Sequence, residues 1–230
     1  MTLTLEQLDR LASEVPPSYR ALVLVAGVLG LRWSEAVGLQ VGDVDFLRRT
    51  LTVRRTIAEV EGRFHVADTK SRSSRRTMSV PTFVVDELAK HLSEHRRGAG
   101  QDELVFVSAR GGTLRHAFEY RVFKGAVDRA GLDSSLTFHG LRHVAATLMV
   151  EQGEHPHVIQ ARLPHATSRL TMELYAHVPE AADRQVASHL DRAWARTSRA
   201  RSGTQRARGT RMRRPRHPAT CEAPAQKQWR

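Results

Sequence analysis

Between residues 139 and 175 the chain sets out, in order, His139-Gly140-Leu141-Arg142-His143, then Leu163-Pro164-His165, then Leu174-Tyr175-Ala176-His177. Two further candidates lie upstream: Arg32 in Gly30-Leu31-Arg32-Trp33-Ser34-Glu35, and Lys70 in Thr69-Lys70-Ser71-Arg72. Together these side chains can hold a phosphodiester and attack it with a tyrosine, with neither a metal nor a nucleotide cofactor.

The attacking atom would be the Tyr175 phenolate oxygen. A free phenol titrates near pH ~10, so it needs activation at neutral pH. Arg32 and Arg142 form the pair that grips the phosphate. A guanidinium is planar, permanently charged and able to bind two phosphate oxygens at once, which suits the charge that grows there during attack. His139 lies three residues before Arg142, on the same face of a helix, and serves as proton acceptor or hydrogen-bond partner. His165 donates to a non-bridging oxygen. Lys70, on a turn between strands, is the candidate acid that would protonate the departing 5′ oxygen.

This set resembles the catalytic residues of the tyrosine recombinase (phage integrase) family, over roughly residues 1–190. The family's first-arginine motif is similar to Gly30-Leu31-Arg32-Trp33-Ser34-Glu35-Ala36, and its lysine hairpin to Thr69-Lys70-Ser71-Arg72-Ser73-Ser74-Arg75-Arg76-Thr77. Its His-x-x-Arg box is similar to Thr137-Phe138-His139-Gly140-Leu141-Arg142-His143, followed by the second histidine at His165 and the nucleophile at Tyr175. His-x-x-Arg alone is common by chance; the set, in this order, is not. The resemblance implies site-specific strand cleavage and exchange on double-stranded DNA through a 3′-phosphotyrosine, with self-association on that DNA.

Two departures from the family pattern stand out. Pro164 takes the place of the usual glycine before the second histidine. Proline fixes φ and removes a donor, so it either re-aims His165 or sits harmlessly in a helix's first turn. The separate helical core-binding domain that usually precedes the catalytic one is also not expected in this sequence: Thr4-Leu5-Glu6-Gln7-Leu8 reads as the catalytic domain's own first helix. That leaves three accounts: a truncated frame, a decaying prophage gene, or a stand-alone catalytic module.

The elements that must position these residues are mostly helical. Residues 5–15 and 19–29 read as helices separated by Pro16-Pro17, with Gly30 ending the second and 33–39 forming a short third. Three short strands are expected at 51–53, 63–66 and 77–80, around Gly62 and the lysine turn. Further helices are expected at 81–95, 114–130, 139–152 and 157–163, and Tyr175 on or beside a short one. A last helix spans 179–194, with Ala182, Val186, Leu190 and Trp194 at helical spacing, and packs either on its own domain or on a neighbouring subunit. The fold class is mainly α with a small three-stranded antiparallel β-sheet, which the resemblance reads as an integrase-like catalytic core. Trp33 is expected to be a core anchor, and Glu35 to orient Arg32 or cap its helix.

Charge divides the chain into a domain over 1–195 and a basic tail over 196–230. Of the net charge of +12, the tail carries +10: ten Arg and one Lys against Glu222 alone. With Gly, Thr, Ser and Pro between its arginines, the tail lacks the apolar surface to offset its ordering entropy. It either binds DNA non-specifically by counterion release or is an extension with incidental charge. Within the domain, Arg54, Arg55, Arg72, Arg75 and Arg76 cluster around the lysine turn as candidate phosphate contacts, the kind that position a protein without reading sequence.

Other classes fare worse. The longest apolar run, 21–31, contains two glycines and falls well short of the ~20 residues a bilayer span needs. A secretory signal pattern is lacking and Cys221 is the single cysteine, which fits a cytoplasmic, bacterial or phage-encoded protein. His139 and His143 stand at one-turn spacing, but without a His-Glu-x-x-His pattern or cysteine ligands a zinc site is not expected. His143 is read instead as a support behind the site or a core histidine. A type IB topoisomerase shares the chemistry but not the chain length or these spacings. The competing class is a folded DNA-binding remnant of an integrase that no longer cleaves.

Overall fold

In a computed structural model of the chain, residues 3–68 and 75–164 are described. The first helix, α1 (Leu5–Glu14), starts where Thr4 Oγ1 accepts from Gln7 N (3.1 Å) and Gln7 Oε1 accepts from Thr4 N (2.9 Å). This reciprocal cap satisfies two donors that the helix itself cannot. Leu8, Leu11 and Ala12, at one-face spacing, are buried.

Proline at its first turn opens α2 (Pro17–Leu29), and Gly30 closes it in the left-handed conformation at φ 69°. Residues 21–27 and Leu29 are all buried, so α2 is apolar nearly all round and forms the centre of the core. It packs against α1, α4 (Thr82–His95) and α6 (Gly140–Glu151). The short α3 (Trp33–Ala36) follows, with Arg32 as its N-cap. Trp33 stacks on Phe118 at 5.5 Å and meets Phe138 edge-on at 5.0 Å. It is the expected core anchor, and it ties α3 to the segment leading into α6.

Two small antiparallel sheets replace the single sheet expected from the sequence. One has the order β1-β2-β5, from β1 (Val44–Asp45), β2 (Thr50–Val53) and β5 (Arg76–Ser79), with Leu51 opposite Met78. The other is a hairpin of β3 (Arg55–Val60) and β4 (Arg63–Asp68). The run at 63–66 therefore pairs with its immediate predecessor and not with the other two expected strands. Its two-residue turn explains this: Glu61 and Gly62 both have positive φ (50° and 74°), the backbone that matches the twist of a tight hairpin. β3 escaped the sequence reading because, of its six residues, Ile57 alone is buried.

Other boundaries moved for local reasons. α3 ends at Ala36, short of 39, because Leu39 O accepts from Val105 N (2.8 Å). The expected helix over 114–130 begins later, with a π-helical turn (Glu119–Phe123) running into α5 (Lys124–Arg129). Ahead of it, the Glu59 carboxylate accepts from His116 N (3.0 Å) and from the Arg115 side chain, fastening this segment to the β3–β4 hairpin. His139 caps α6, and α7 (Pro156–Arg162) follows with proline in its first turn. A small apolar cluster of Ala146, Ile159 and Leu163 joins α6 to α7. Among the described residues, no helix is long and apolar enough to cross a membrane. The expected helix at 179–194 and the tail at 196–230 lie outside the described residues.

Candidate active site

Arg32 reaches the site because α2 must end. Gly30 turns the chain out of the helix, Arg32 takes an extended φ of −66° and ψ of 155°, and α3 begins beside it. Glu35, one turn on, accepts from the Arg32 backbone N–H through Oε2 (2.9 Å) and from Arg32 Nη1 through Oε1 (3.2 Å). The two roles considered for Glu35, capping and orienting, are both filled.

Arg142 arrives from α6, in a turn that faces the core and leaves its side chain only 6% exposed. Its Nη1 donates to Gly30 O (2.5 Å) and its Nη2 to Pro164 O (2.8 Å). Arg32 Nη2 donates to the same Pro164 oxygen at 2.6 Å. Two guanidinium groups, far apart in sequence, thus converge on one oxygen, an arrangement suited to a bound anion. Burial, then the nearby Arg32 charge, pulls the Arg142 pKa down to about 10, with Glu35 opposing. Arg142 is charged at neutral pH all the same.

A third guanidinium completes the cluster. Arg76, at the start of β5, grips Glu35 fork to fork: Nη1 to Oε1 and Nη2 to Oε2, both 2.9 Å. Its Nε donates to Arg162 O (2.9 Å), and Arg162 Nη2 in turn donates to Ser79 O (2.9 Å). These exchanges fasten β5 to the end of α7, directly before Leu163 and Pro164. Glu35 is 2% exposed, and burial by itself raises a carboxyl pKa. The Arg76 fork, then Arg32, outweighs burial and holds Glu35 below the ordinary glutamate range. Removing one partner from a buried pair of this kind typically destabilises by about 3–5 kcal/mol.

The remaining sequence candidates distribute unevenly. His139 is exposed at the head of α6, its ring 5.9 Å from that of His143. His143 is exposed as well, which removes the core-histidine reading. Arg76 was expected as a phosphate contact beside the lysine turn; its side chain, 8% exposed, is paired with Glu35. Strand alternation carried the signal: Arg76 lies two residues from the buried Met78 and so shares its face. Arg55 Nη1 donates to Asp43 Oδ2 (2.6 Å), and Arg54 Nε stands 3.4 Å from Asp43 Oδ1. Asp43 is 2% exposed, so these two arginines form a separate buried-carboxylate cluster. Arg75 is exposed. Lys70, Arg72, His165 and Tyr175 lie outside the described residues, as does the first-turn reading of Pro164. Among the described residues, no group of three or more His, Cys, Asp or Glu side chains could hold a metal ion.

Comparison with known proteins shows the family and the fold. The chain is 30% identical over 191 residues to a putative prophage phiRv2 integrase of Mycobacterium tuberculosis, covering 82% of this chain and 50% of that protein. It is 30% identical over 178 residues to the tyrosine recombinase XerD of Corynebacterium glutamicum, covering 76% and 53%. The chain therefore spans about half the length of the curated relatives it matches. Its fold is similar to that of the Tn1549 transposon integrase, solved in complex with transposon right end DNA, at a TM-score of 0.71 and 21% identity over 83% of this chain and 66% of that one. The catalytic domain of bacteriophage HP1 integrase matches with a TM-score of 0.52 and 24% identity, over 81% of this chain and 93% of that one. The family model described as the phage integrase family matches residues 1–181, and with Arg32 and Arg142 converging as they do, the chain belongs to that family.

Proposed function

We propose that this chain is the strand-cleaving and strand-joining part of a site-specific DNA recombinase that works through a 3′-phosphotyrosyl intermediate. One observation carries the reading: Arg32 and Arg142, far apart in sequence, aim their Nη2 atoms at a single oxygen, at 2.6 and 2.8 Å. In the proposed complex a non-bridging oxygen of the scissile phosphate takes this pair. Tyr175 Oη forms a bond to phosphorus as the bond from phosphorus to the 5′ oxygen breaks. His139 accepts the phenolic proton, His165 donates to the other non-bridging oxygen, and Lys70 protonates the departing 5′ oxygen. The phosphotyrosine keeps the bond energy, so a 5′-hydroxyl from another strand reverses the step without ATP or a metal ion.

Family membership, and the DNA bound by the Tn1549 transposon integrase, support double-stranded DNA as the substrate; the proposal adds self-association upon it. The unit that acts is residues 1–195, with the arginines of 196–230 adding a non-specific hold on the phosphate backbone. Arg72 and Arg75 contribute phosphate contacts beside Lys70, and Arg54 contributes from the junction of β2 and β3. The place of action is the nucleoid of a bacterial cell.

The test is covalent trapping. The protein is incubated with a randomised pool of nicked duplexes, and covalent adducts are isolated under denaturing conditions, beside Tyr175→Phe. An adduct that forms with the wild-type chain and not with the variant is expected. The proposal is lost if no adduct depends on Tyr175.

A further inference from the structure

Three guanidinium groups, those of Arg32, Arg76 and Arg142, gather near one buried carboxylate, Glu35, and their bonds to it are unequal. Arg76 holds Glu35 through both oxygens, at 2.9 Å each, with side-chain exposures of 8% and 2%. Arg32 holds it through a single side-chain bond of 3.2 Å and is 29% exposed. Arg142 makes its two bonds to carbonyl oxygens instead.

We infer that Arg76 is a positioning residue and not a DNA contact: it is the counter-ion of Glu35, and it leaves the charges of Arg32 and Arg142 directed at the phosphate. A buried carboxylate with Arg32 as its one cationic partner would draw that guanidinium toward itself and offset its charge. Two full positive charges at the anion site would then fall toward one. Arg76 prevents this because its bidentate grip satisfies the carboxylate where solvent cannot. The same side chain sets the local geometry through Nε and Arg162 O, just ahead of the Pro164 oxygen on which Arg32 and Arg142 meet.

The inference rests on the proposed phosphate-cleaving role, so its test has two arms. The first needs no catalysis. Carboxyl-labelled glutamate is followed by NMR against pH in the full chain, with the Glu35 signal assigned by its loss in Glu35→Gln. Glu35 is expected to stay ionised below the ordinary glutamate range, and in Arg76→Gln to titrate above that range. An unchanged titration in Arg76→Gln overturns the assignment, whether or not the chain cleaves DNA.

The second arm measures adduct formation in single-turnover trapping. Arg76→Gln is expected to slow it about 100-fold with DNA affinity unchanged, and Arg76→Lys, which keeps the charge but not the fork, to slow it less. The double variant Glu35→Gln with Arg76→Gln removes both charges and is expected to recover about tenfold over Arg76→Gln alone. A double variant as slow as Arg76→Gln would mean that Arg76 supplies shape only, and the counter-ion role fails. If the wild-type chain forms no adduct, the failure belongs to the proposed function, and the titration alone judges Arg76.

Discussion

Leu163 seats its side chain directly on Gly30: a Cβ built on that glycine would lie 2.3 Å from Leu163 Cδ2 and 3.2 Å from Ala145 Cβ. The contact brings the end of α7 onto the end of α2. One residue past Leu163 is the Pro164 oxygen shared by the two arginines, and two residues past Gly30 is Arg32 itself. Gly30 also supplies its own carbonyl to Arg142 Nη1.

Gly30→Ala is therefore expected to act on stability and site together. The left-handed φ of 69° and the clash with Leu163 should combine to about 2–5 kcal/mol of destabilisation. Urea unfolding reads this as a lower midpoint, and a midpoint equal to that of the wild type would show that α7 does not pack there.

Arg142→Lys separates charge from shape. Lysine keeps the positive charge but cannot bond Gly30 O and a phosphate oxygen together through one planar fork. Tyr175-dependent adduct formation should fall about 10²–10³-fold while duplex DNA affinity holds within about twofold. Equal loss of binding and cleavage would instead mean that Arg142 acts as a simple phosphate anchor.

Lys70→Ala tests the leaving group. In the proposed chemistry the 5′ oxygen needs a proton, and loss of a general acid should slow cleavage about 10²–10⁴-fold. A duplex with sulfur in place of that bridging oxygen leaves as a thiolate without needing the proton. It should be cleaved by Lys70→Ala at nearly the wild-type rate; a variant equally slow on both substrates would place Lys70 elsewhere in the mechanism.

His91 should give the fold a pH dependence distinct from that of the site. It is 4% exposed, its Nε2 lies 2.9 Å from Val105 O, and its Nδ1 has no hydrogen-bond partner among the described residues. Burial pushes it below the ordinary imidazole value of 6.5, with the Val105 carbonyl acting in the opposite direction. A depressed pKa in the fold means that the unfolded chain binds the proton more readily. The stabilisation is therefore whole above pH 6.5 and lost as pH falls through the folded value. Urea midpoints between pH ~5 and ~7 should slope in the wild type, and the slope should flatten in His91→Leu.

Much of this fold could be read from local signals. Pro17, Gly30, Pro81 and Pro156 mark helix boundaries through backbone constraints that act within a few residues, and α1, α2, α4, α6 and α7 lie within two residues of their expected bounds. Sheet membership was not legible. Residues 63–66 carry strand character, but pairing depends on the Glu61-Gly62 turn and on a partner, β3, with little apolar alternation. The start of the helix near 119 was also hidden, because a distant carboxylate, Glu59, holds the residues before it.

By itself the sequence determined which chemical groups this protein owns and in what order: arginines suited to phosphate at 32 and 142, a histidine at 139, and Glu35 one helical turn from Arg32. Those follow from residue type and from spacing along a helix, which are local properties. Only the tertiary structure decided which groups meet. Arg32 and Arg142 converge because α2 ends at a left-handed glycine beneath α6 and α7, and no short-range rule encodes that packing. Arg76 and Arg55 look alike as basic residues of strands. Long-range contacts put one on Glu35 and the other on Asp43, because a buried carboxylate must find a cation wherever the fold brings one within reach.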